Sequence, residues 1–214
     1  MNREAFAANF KRPRMGRRLT ALIISLTVMG MCIAVFKIVG LGTDPSSTFG
    51  TGLSNWTGIS FGTCMLVFNL LMFVPVIRCD LSRIGIGTVL NMAGVGYIAD
   101  FFQYVFREFV PENGLSMAMR LALFAASMAL FLVAVSFYMV VDLGIAPYDA
   151  IPQLIAARAG KLGFRYVRMI WDLSILSIGF LLGAAVGLTT LVTGFCLGPA
   201  VSAVSGRVRG WFEE

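Results

Sequence analysis

The sequence predicts an all-α polytopic membrane protein with two structural repeats, about six transmembrane helices and two short re-entrant or interfacial helices. Three observations carry this. Hydrophobic residues make up 58% of the chain and charged residues only 13%, whereas soluble domains carry about 25% charge. The apolar residues gather into runs that match the roughly 17–25 residues needed to cross about 30 Å of hydrocarbon. A gapless shift of 102 residues also lays glycines and prolines of the second half onto those of the first.

Residues 1–17 read as a basic cytoplasmic tail. Arg3, Lys11, Arg12, Arg14, Arg17 and Arg18 precede the first apolar run, the pattern of the positive-inside bias. Lipid headgroups are the expected partner of this cluster, and nucleic acid is not. The apolar runs lie at about 19–40, 60–77, 84–106, 118–141, 166–185 and 187–206. The first is too long for a signal-peptide core and no A-x-A site follows it, so it reads as a retained span. Arg78–Arg83 is a short polar turn, 107–119 is a longer polar connection, and Gly183–Gly187 is a tight uncharged break.

Two segments are too short to span: Pro45–Thr57 and Pro147–Ala159. Each opens on Pro and is followed by Gly (Gly58, Gly160), as a short helix with Pro at its first position would be. Asp44 is the expected N-cap of the first. Thirteen residues of helix reach only about 20 Å, so each segment is interfacial, re-entrant or buried among the true spans.

These segments organise the duplication. The shift superposes Leu41-Gly42-x-x-Pro45 on Leu143-Gly144-x-x-Pro147, and Gly58, Gly85, Thr88 and Gly96 on Gly160, Gly187, Thr190 and Gly198. It also aligns Arg18-Leu19 with Arg120-Leu121. The halves are 18–106 and 120–208, with a cytoplasmic C-terminus at 209–214. Three spans per half make the halves inverted, an arrangement many secondary transporters use. If the short segments also cross, there are eight helices in parallel repeats. With both termini inside, six spans put Lys37, Arg107 and Arg120 outside, and eight put Lys37, Arg78 and Arg83 there. Charge is silent between them, and segment length favours six.

Gly40-Leu-Gly-Thr-Asp-Pro45, Thr57-Gly-Ile-Ser-Phe-Gly-Thr63, Ile84-Gly-Ile-Gly-Thr-Val-Leu-Asn91 and Val95-Gly-Tyr-Ile-Ala-Asp100 resemble the YczE/YitT-type bacterial integral membrane proteins. Leu143-Gly-Ile-Ala-Pro-Tyr-Asp149 and the run from Asp172 to Gly183 extend the resemblance, which covers about 18–208. Val186-Gly-Leu-Thr-Thr190 departs from the Gly-x-Gly-Thr pattern in the second half. The resemblance implies a multipass bacterial membrane protein without a defined biochemical activity.

Ionisable groups within spans are costly, so each is a functional candidate. Asp100 is a candidate cation or proton site, with Asn91, Tyr97 and Gln103 on the same run. Asp172 has Arg168 four residues before it and Arg165 seven before it, hence on one helical face. A structural ion pair there stands beside a polar path. Asp149 and Tyr148 on the second short segment, and Ser46 and Ser47 on the first, need protein or water partners at membrane depth. Together with Asn69 these form the candidate substrate-binding set. Trp171 reads as a lipid-facing or interfacial aromatic. Pro45, Gly58, Gly85, Gly87, Pro147, Gly160, Gly179 and Gly183 are structural positions. Gly179-x-x-x-Gly183 and Gly194-x-x-x-Gly198 suggest close helix packing.

With no histidine, four scattered cysteines (Cys32, Cys64, Cys79, Cys196) and no nucleotide-binding loop, neither a metal site nor a cofactor nor an enzyme is expected. The expected function is a small secondary transporter or permease of the bacterial inner membrane, moving a small molecule or ion. The alternative is a non-transporting accessory or regulatory membrane protein acting through partner and lipid contacts. A homo-oligomer is compatible with either.

Overall fold

The computed structural model describes residues 14–109, 114–159 and 163–194. Residues 1–13, Gly160, Cys196, Gly198, most of the run 187–206 and the C-terminus 209–214 lie outside these. The elements are α1 (Met15–Val39), α2 (Pro45–Thr57), α3 (Phe61–Cys79), a 3-10 turn (Leu81–Arg83), α4 (Ile86–Phe109), α5 (Met117–Val141), α6 (Pro147–Ala159) and α7 (Phe164–Leu181). Residues 188–194 are again helical.

By length and composition α1, α3 and α5 can each cross a membrane. Helix α4 is as long but interrupts its apolar content with Asn91, Tyr97, Asp100 and Gln103, and α7 carries Arg165, Arg168 and Asp172. The outer faces are apolar: Leu71, Phe101, Ile170 and Phe180 are more than half exposed. Such a surface suits a hydrocarbon solvent rather than water.

The two 13-residue helices begin as the sequence predicts. Pro45 is the first residue of α2, and the Asp44 side chain accepts the Ser47 N–H at 3.1 Å. Gly58 closes α2 in the left-handed conformation (φ 72°), which a glycine adopts without strain. Pro147 opens α6.

Helices α1 and α5 form the centre and run antiparallel. Near the start of α1, Arg18 donates to the carbonyl of Val141, the last residue of α5, at 2.7 Å. Near the start of α5, Arg120 donates to the carbonyl of Val39, the last residue of α1, at 3.2 Å. Each cation thus meets the negative end of the opposing helix dipole and unspent carbonyls. Arg18 is therefore buried as a helix cap, not part of the headgroup-facing tail. Between the two helices Phe36 packs edge-on against Phe131 at 5.7 Å, and Leu22, Leu26, Val135 and Tyr138 complete the core.

The short helices do not cross. Helix α1 ends beside the start of α3, where the Lys37 ammonium lies 4.2 Å from the Phe61 ring centre. Helix α2 therefore leaves and returns at one end of the bundle, the Lys37 end. Helix α6 follows Val141, near Arg18, and its last turn lines a groove with Cys79, the final residue of α3. It stays at the opposite end, the Arg83 end. This geometry excludes the eight-helix parallel arrangement, which needs α1 and α5 to point the same way.

Each short helix packs on the long helix of the other half: α2 on α7, and α6 on α3. The preceding loops are exchanged in the same way. Gly87 donates its N–H to the Leu143 carbonyl at 2.7 Å, and Thr189 donates to the Leu41 carbonyl at 2.9 Å. Gly144 and Gly42 sit at φ 101° and 87°. A Cβ on Gly144 would come 2.5 Å from Gly85 N, and one on Gly42 would come 2.6 Å from Gly187 N. The Thr88 hydroxyl then accepts the Gly85 N–H at 3.1 Å, and the Thr190 hydroxyl accepts that of Gly187 at 3.4 Å. The departure Val186–Thr190 thus preserves the loop contact, because the bond at Thr189 uses its backbone.

Two small-residue expectations change. Gly179 does make a close crossing: a Cβ there would lie 2.7 Å from the Phe49 backbone nitrogen, and Gly52 faces the Gly179 carbonyl. Gly183, at φ 87° with nothing within 4 Å of its Cβ position, ends α7 as a turn, and it meets α2 through a hydrogen bond from Asn55 to its carbonyl rather than through a close helix crossing. Gly194 likewise has nothing within 4 Å.

Candidate functional site

The pairing expected from sequence within α7 is present and larger than expected. Arg168 Nε donates to Asp172 Oδ2 at 2.8 Å, and its Nη1 donates to Asp149 Oδ1 at 2.7 Å. The Tyr148 hydroxyl donates to the other Asp172 oxygen at 2.5 Å. The Arg168 guanidinium lies 5.3 Å from the Tyr148 ring centre. One planar fork therefore serves two carboxylates, a task that suits arginine and not lysine. The side chains of Arg168, Asp149 and Asp172 are 27%, 25% and 14% exposed, so the cluster is largely withdrawn from solvent.

Aromatic rings link this cluster to the short helix of the first half. Tyr148 contacts Trp171 at 5.9 Å and Phe68 at 6.1 Å, and Phe68 contacts Phe49 on α2 at 4.4 Å. Trp171 thus packs inside the bundle with its Nε1 buried and unpartnered, instead of facing lipid. Asp44, the cap of α2, feels the charges of Asp149 and Asp172, and its Oδ1 is buried without a partner. Asn69 is 4% exposed; its Nδ2 donates to the Met65 carbonyl while its Oδ1 is unpartnered. Two carboxylates thus share one guanidinium where α3, α6 and α7 meet, with Asp44 at the start of α2 near enough to feel both of them. A site of net negative charge with spare acceptors can exchange a proton or hold a cation.

Asp100 does not join this group. Its Oδ2 accepts the Gly62 N–H at 2.7 Å at the start of α3. It lines a separate cavity of about 470 Å³ at the Lys37 end, among α1, α2, α3 and α4. Lys37, Thr43, Thr51, Asn55, Gln103 and Arg107 also line it. Ser47 is 2% exposed and serves the α2 cap through its backbone. Ser46 and Asn91 are half-buried and make no side-chain hydrogen bond among the described contacts, so neither joins either site. Among the described residues no group of three metal-ligating side chains occurs.

The Arg83 end is closed where the Lys37 end is open. Arg83 donates through Nη1 to Gln153 on α6 and through Nε to Asp80 at 2.9 Å. The Ser82 hydroxyl, 2.5 Å from Asp80, and the Arg83 charge hold the Asp80 carboxyl below its ordinary range. Gln153 corresponds by the 102-residue shift to Thr51, which lines the open cavity, and Arg83 to Ala185, which lines it too.

Sequence reasoning missed Lys37, Asp44 and the reach of Arg168 to Asp149. Asp44 was visible as a cap; its burial near two further carboxylates depends on tertiary packing.

The family model described as a family of unknown function, DUF6198, matches residues 16–206. An uncharacterised protein of Haemophilus influenzae is 26% identical over 188 residues, covering 86% of this chain and 82% of that protein. The uncharacterised membrane protein YczE of Bacillus subtilis is 25% identical over 183 residues, covering 86% of this chain and 79% of its own length. No solved structure matches the chain. Exchanged glycine loops, apolar helices and this match along nearly the whole length agree: the chain is a membrane protein of the YczE-type family, DUF6198.

Proposed function

We propose that the chain is a small secondary transporter built from two inverted repeats. The observation that carries this is the Asp149–Arg168–Asp172–Tyr148 cluster, set where a short helix of the second half meets α7 inside an antiparallel bundle. Four further features support it. The halves exchange equivalent contacts at one offset: Arg18 with Arg120, Leu41 with Leu143, and Gly85 with Gly187. Short helices that enter without crossing are where such proteins build their sites. One end opens into a polar cavity and the other is latched by Arg83, as alternating access requires. The Tyr148 hydroxyl and both carboxylates of the cluster are tied together around Arg168, an arrangement suited to holding and releasing a proton or cation.

Orientation follows from charge. Lys37, Arg107 and Arg120 fall at one end, with Arg18, Arg78, Arg83 and Arg158 at the other. The positive-inside bias then puts both termini in the cytoplasm of a bacterial inner membrane and the polar cavity outside.

The test is reconstitution into liposomes under a proton or sodium gradient, with solute-dependent current as the readout. We expect Asp172→Asn and Asp149→Asn to abolish the current while the purified proteins keep wild-type helicity and elution. Wild-type currents in both variants would remove the cluster from the transport path. If the wild type carries no current with any solute, and a partner protein co-purifies with it, a regulatory role replaces transport.

A further inference from the structure

We infer that the groove between α3 and α6 at the Arg83 end holds one anionic phospholipid, with an acyl chain along the groove and the phosphate at Arg158 and Arg78. This goes beyond the transport proposal and does not depend on it, because lipid binding is read without flux.

The groove follows from how the two helices lie. Tyr148, in the first turn of α6, contacts Phe68, which stands 11 residues before Cys79, the last residue of α3. Helix α6 therefore starts about 16 Å inside that end of α3 and runs outward alongside it. Met72, Pro75 and Cys79 form one stripe of α3, and Ile151, Leu154, Ile155 and Arg158 form one stripe of α6. The two stripes line a space of about 580 Å³, with Trp171 of α7 as a further wall. Met72 and Ile151 mark its inner part, and Cys79 and Arg158 its mouth. Among the described residues Arg158 is the one charged group that lines it. Ile155 is 43% exposed, so the groove opens sideways onto the apolar outer face, where hydrocarbon is the solvent.

The charge at the mouth is unspent. Arg158 and Arg78 occupy the last turns of α6 and α3, and both are exposed. Neither pairs with a carboxylate among the described residues. Asp80, the acid nearest to Arg78 in sequence, is engaged by Arg83 and Ser82. An apolar groove that ends at free cations in the headgroup layer complements a lipid of net negative charge. A zwitterionic lipid lacks the charge, and a soluble anion lacks the chain. A second copy docked symmetrically on this face would bring the same arginines together, like charge against like.

The corresponding seam of the other half has neither property. The 102-residue shift carries Leu154 onto Gly52 and Ile77 onto Gly179. Those two glycines let α2 and α7 close on each other so tightly that a Cβ on either would meet backbone. The seam between α3 and α6 lacks them. Arg158 is replaced there by Trp56, an exposed aromatic without charge. The lipid site therefore belongs to one end only.

The test uses purified full-length protein in neutral detergent. It is titrated with dioleoyl phosphatidylglycerol and with phosphatidylethanolamine and phosphatidylcholine of the same chains. Glycerol 1-phosphate is the chainless contrast. Native mass spectrometry counts the bound lipids and gives their affinity, and circular dichroism checks the fold. We expect one phosphatidylglycerol to bind saturably and more tightly than either zwitterionic lipid, with no displacement by glycerol 1-phosphate. Arg158→Gln and Arg78→Gln should each weaken it about 5-fold, and together about 25-fold, as the loss of one surface cation each does. Arg158→Lys keeps the charge and should retain most of the affinity. Ile155→Trp fills the groove while leaving both arginines, and it should weaken binding with helicity unchanged. The inference is overturned if the three lipids bind alike, or if either the double arginine variant or Ile155→Trp binds as the wild type does. Displacement by glycerol 1-phosphate would give the mouth to a free phosphate ester instead. Dimerisation that Ile155→Trp abolishes, with no effect of lipid, would give the groove to a second copy.

Discussion

Arg168 is the residue whose geometry is hardest to replace. Its Nε and Nη1 engage carboxylates on two different helices, and a lysine ammonium cannot satisfy both directions at once. Replacing it by Gln leaves Asp149 and Asp172 facing each other with Asp44 nearby. The expected cost is about 2 kcal/mol, between an exposed pair and a fully buried one. A lowered thermal midpoint in detergent measures it, and Arg168→Lys should recover less than half. If Arg168→Gln melts with the wild type, the ion pairs are ornamental. Half of this cluster was legible beforehand, since Arg168 and Asp172 are four apart on one helix. Asp149 was visible only as a first-turn acid, because its partner arrives through the packing of α6 on α7. At the latch, folding depresses the Asp80 pKa, so its stabilisation is present above the unfolded carboxylate pKa. It is lost as pH falls through the lower folded value.

The loops that open the short helices explain why the sequence repeats Leu-Gly-x-x-Pro and answers it with a glycine and a threonine downstream. The glycine takes a left-handed conformation, so the preceding leucine carbonyl can accept a backbone N–H from the other half. The facing glycine at 85 or 187 leaves room for that carbonyl. Neither partner works alone, which is why the two motifs sit about 43 residues apart in the same half yet pair across halves. Gly42→Ala and Gly144→Ala should each cost more than about 1–2 kcal/mol, the left-handed penalty for a side chain, because a close contact with Gly187 or Gly85 adds to it. Gly16→Ala, with nothing within 4 Å of its Cβ position, should be neutral or stabilise by about 0.5–1 kcal/mol. Equal midpoints for all three would mean that the loops yield easily. The existence and bounds of these elements were readable from Pro and Gly placement. What they touch was not, because a gapless shift reveals equivalence and not contact.

For the whole molecule, the decisive fact is the antiparallel pairing of α1 with α5, set by two arginines that each cap the other helix's end. Composition foretold the membrane, and segment length favoured six spans. Charge could not choose, because six and eight spans leave the same number of cations on each side. The structure separates Lys37 and Arg107 from Arg78 and Arg83 by placing them at opposite ends, and this makes the topology testable with three positions. In a background lacking Cys32, Cys64, Cys79 and Cys196, single cysteines replace the exposed residues Arg78, Glu108 and Arg158. A membrane-impermeant maleimide is then applied to spheroplasts and to inverted vesicles. Glu108→Cys should react in spheroplasts, while Arg78→Cys and Arg158→Cys should react only in inverted vesicles. If the short helices crossed the bilayer, α3 and α4 would reverse, and the labels at 78 and 108 would exchange sides. A third pattern, with all three sites reactive only in inverted vesicles, is incompatible with any odd number of crossings between 78 and 108. It would place α4 flat on the membrane and leave Asp100 and the Lys37 cavity without a bilayer to open across.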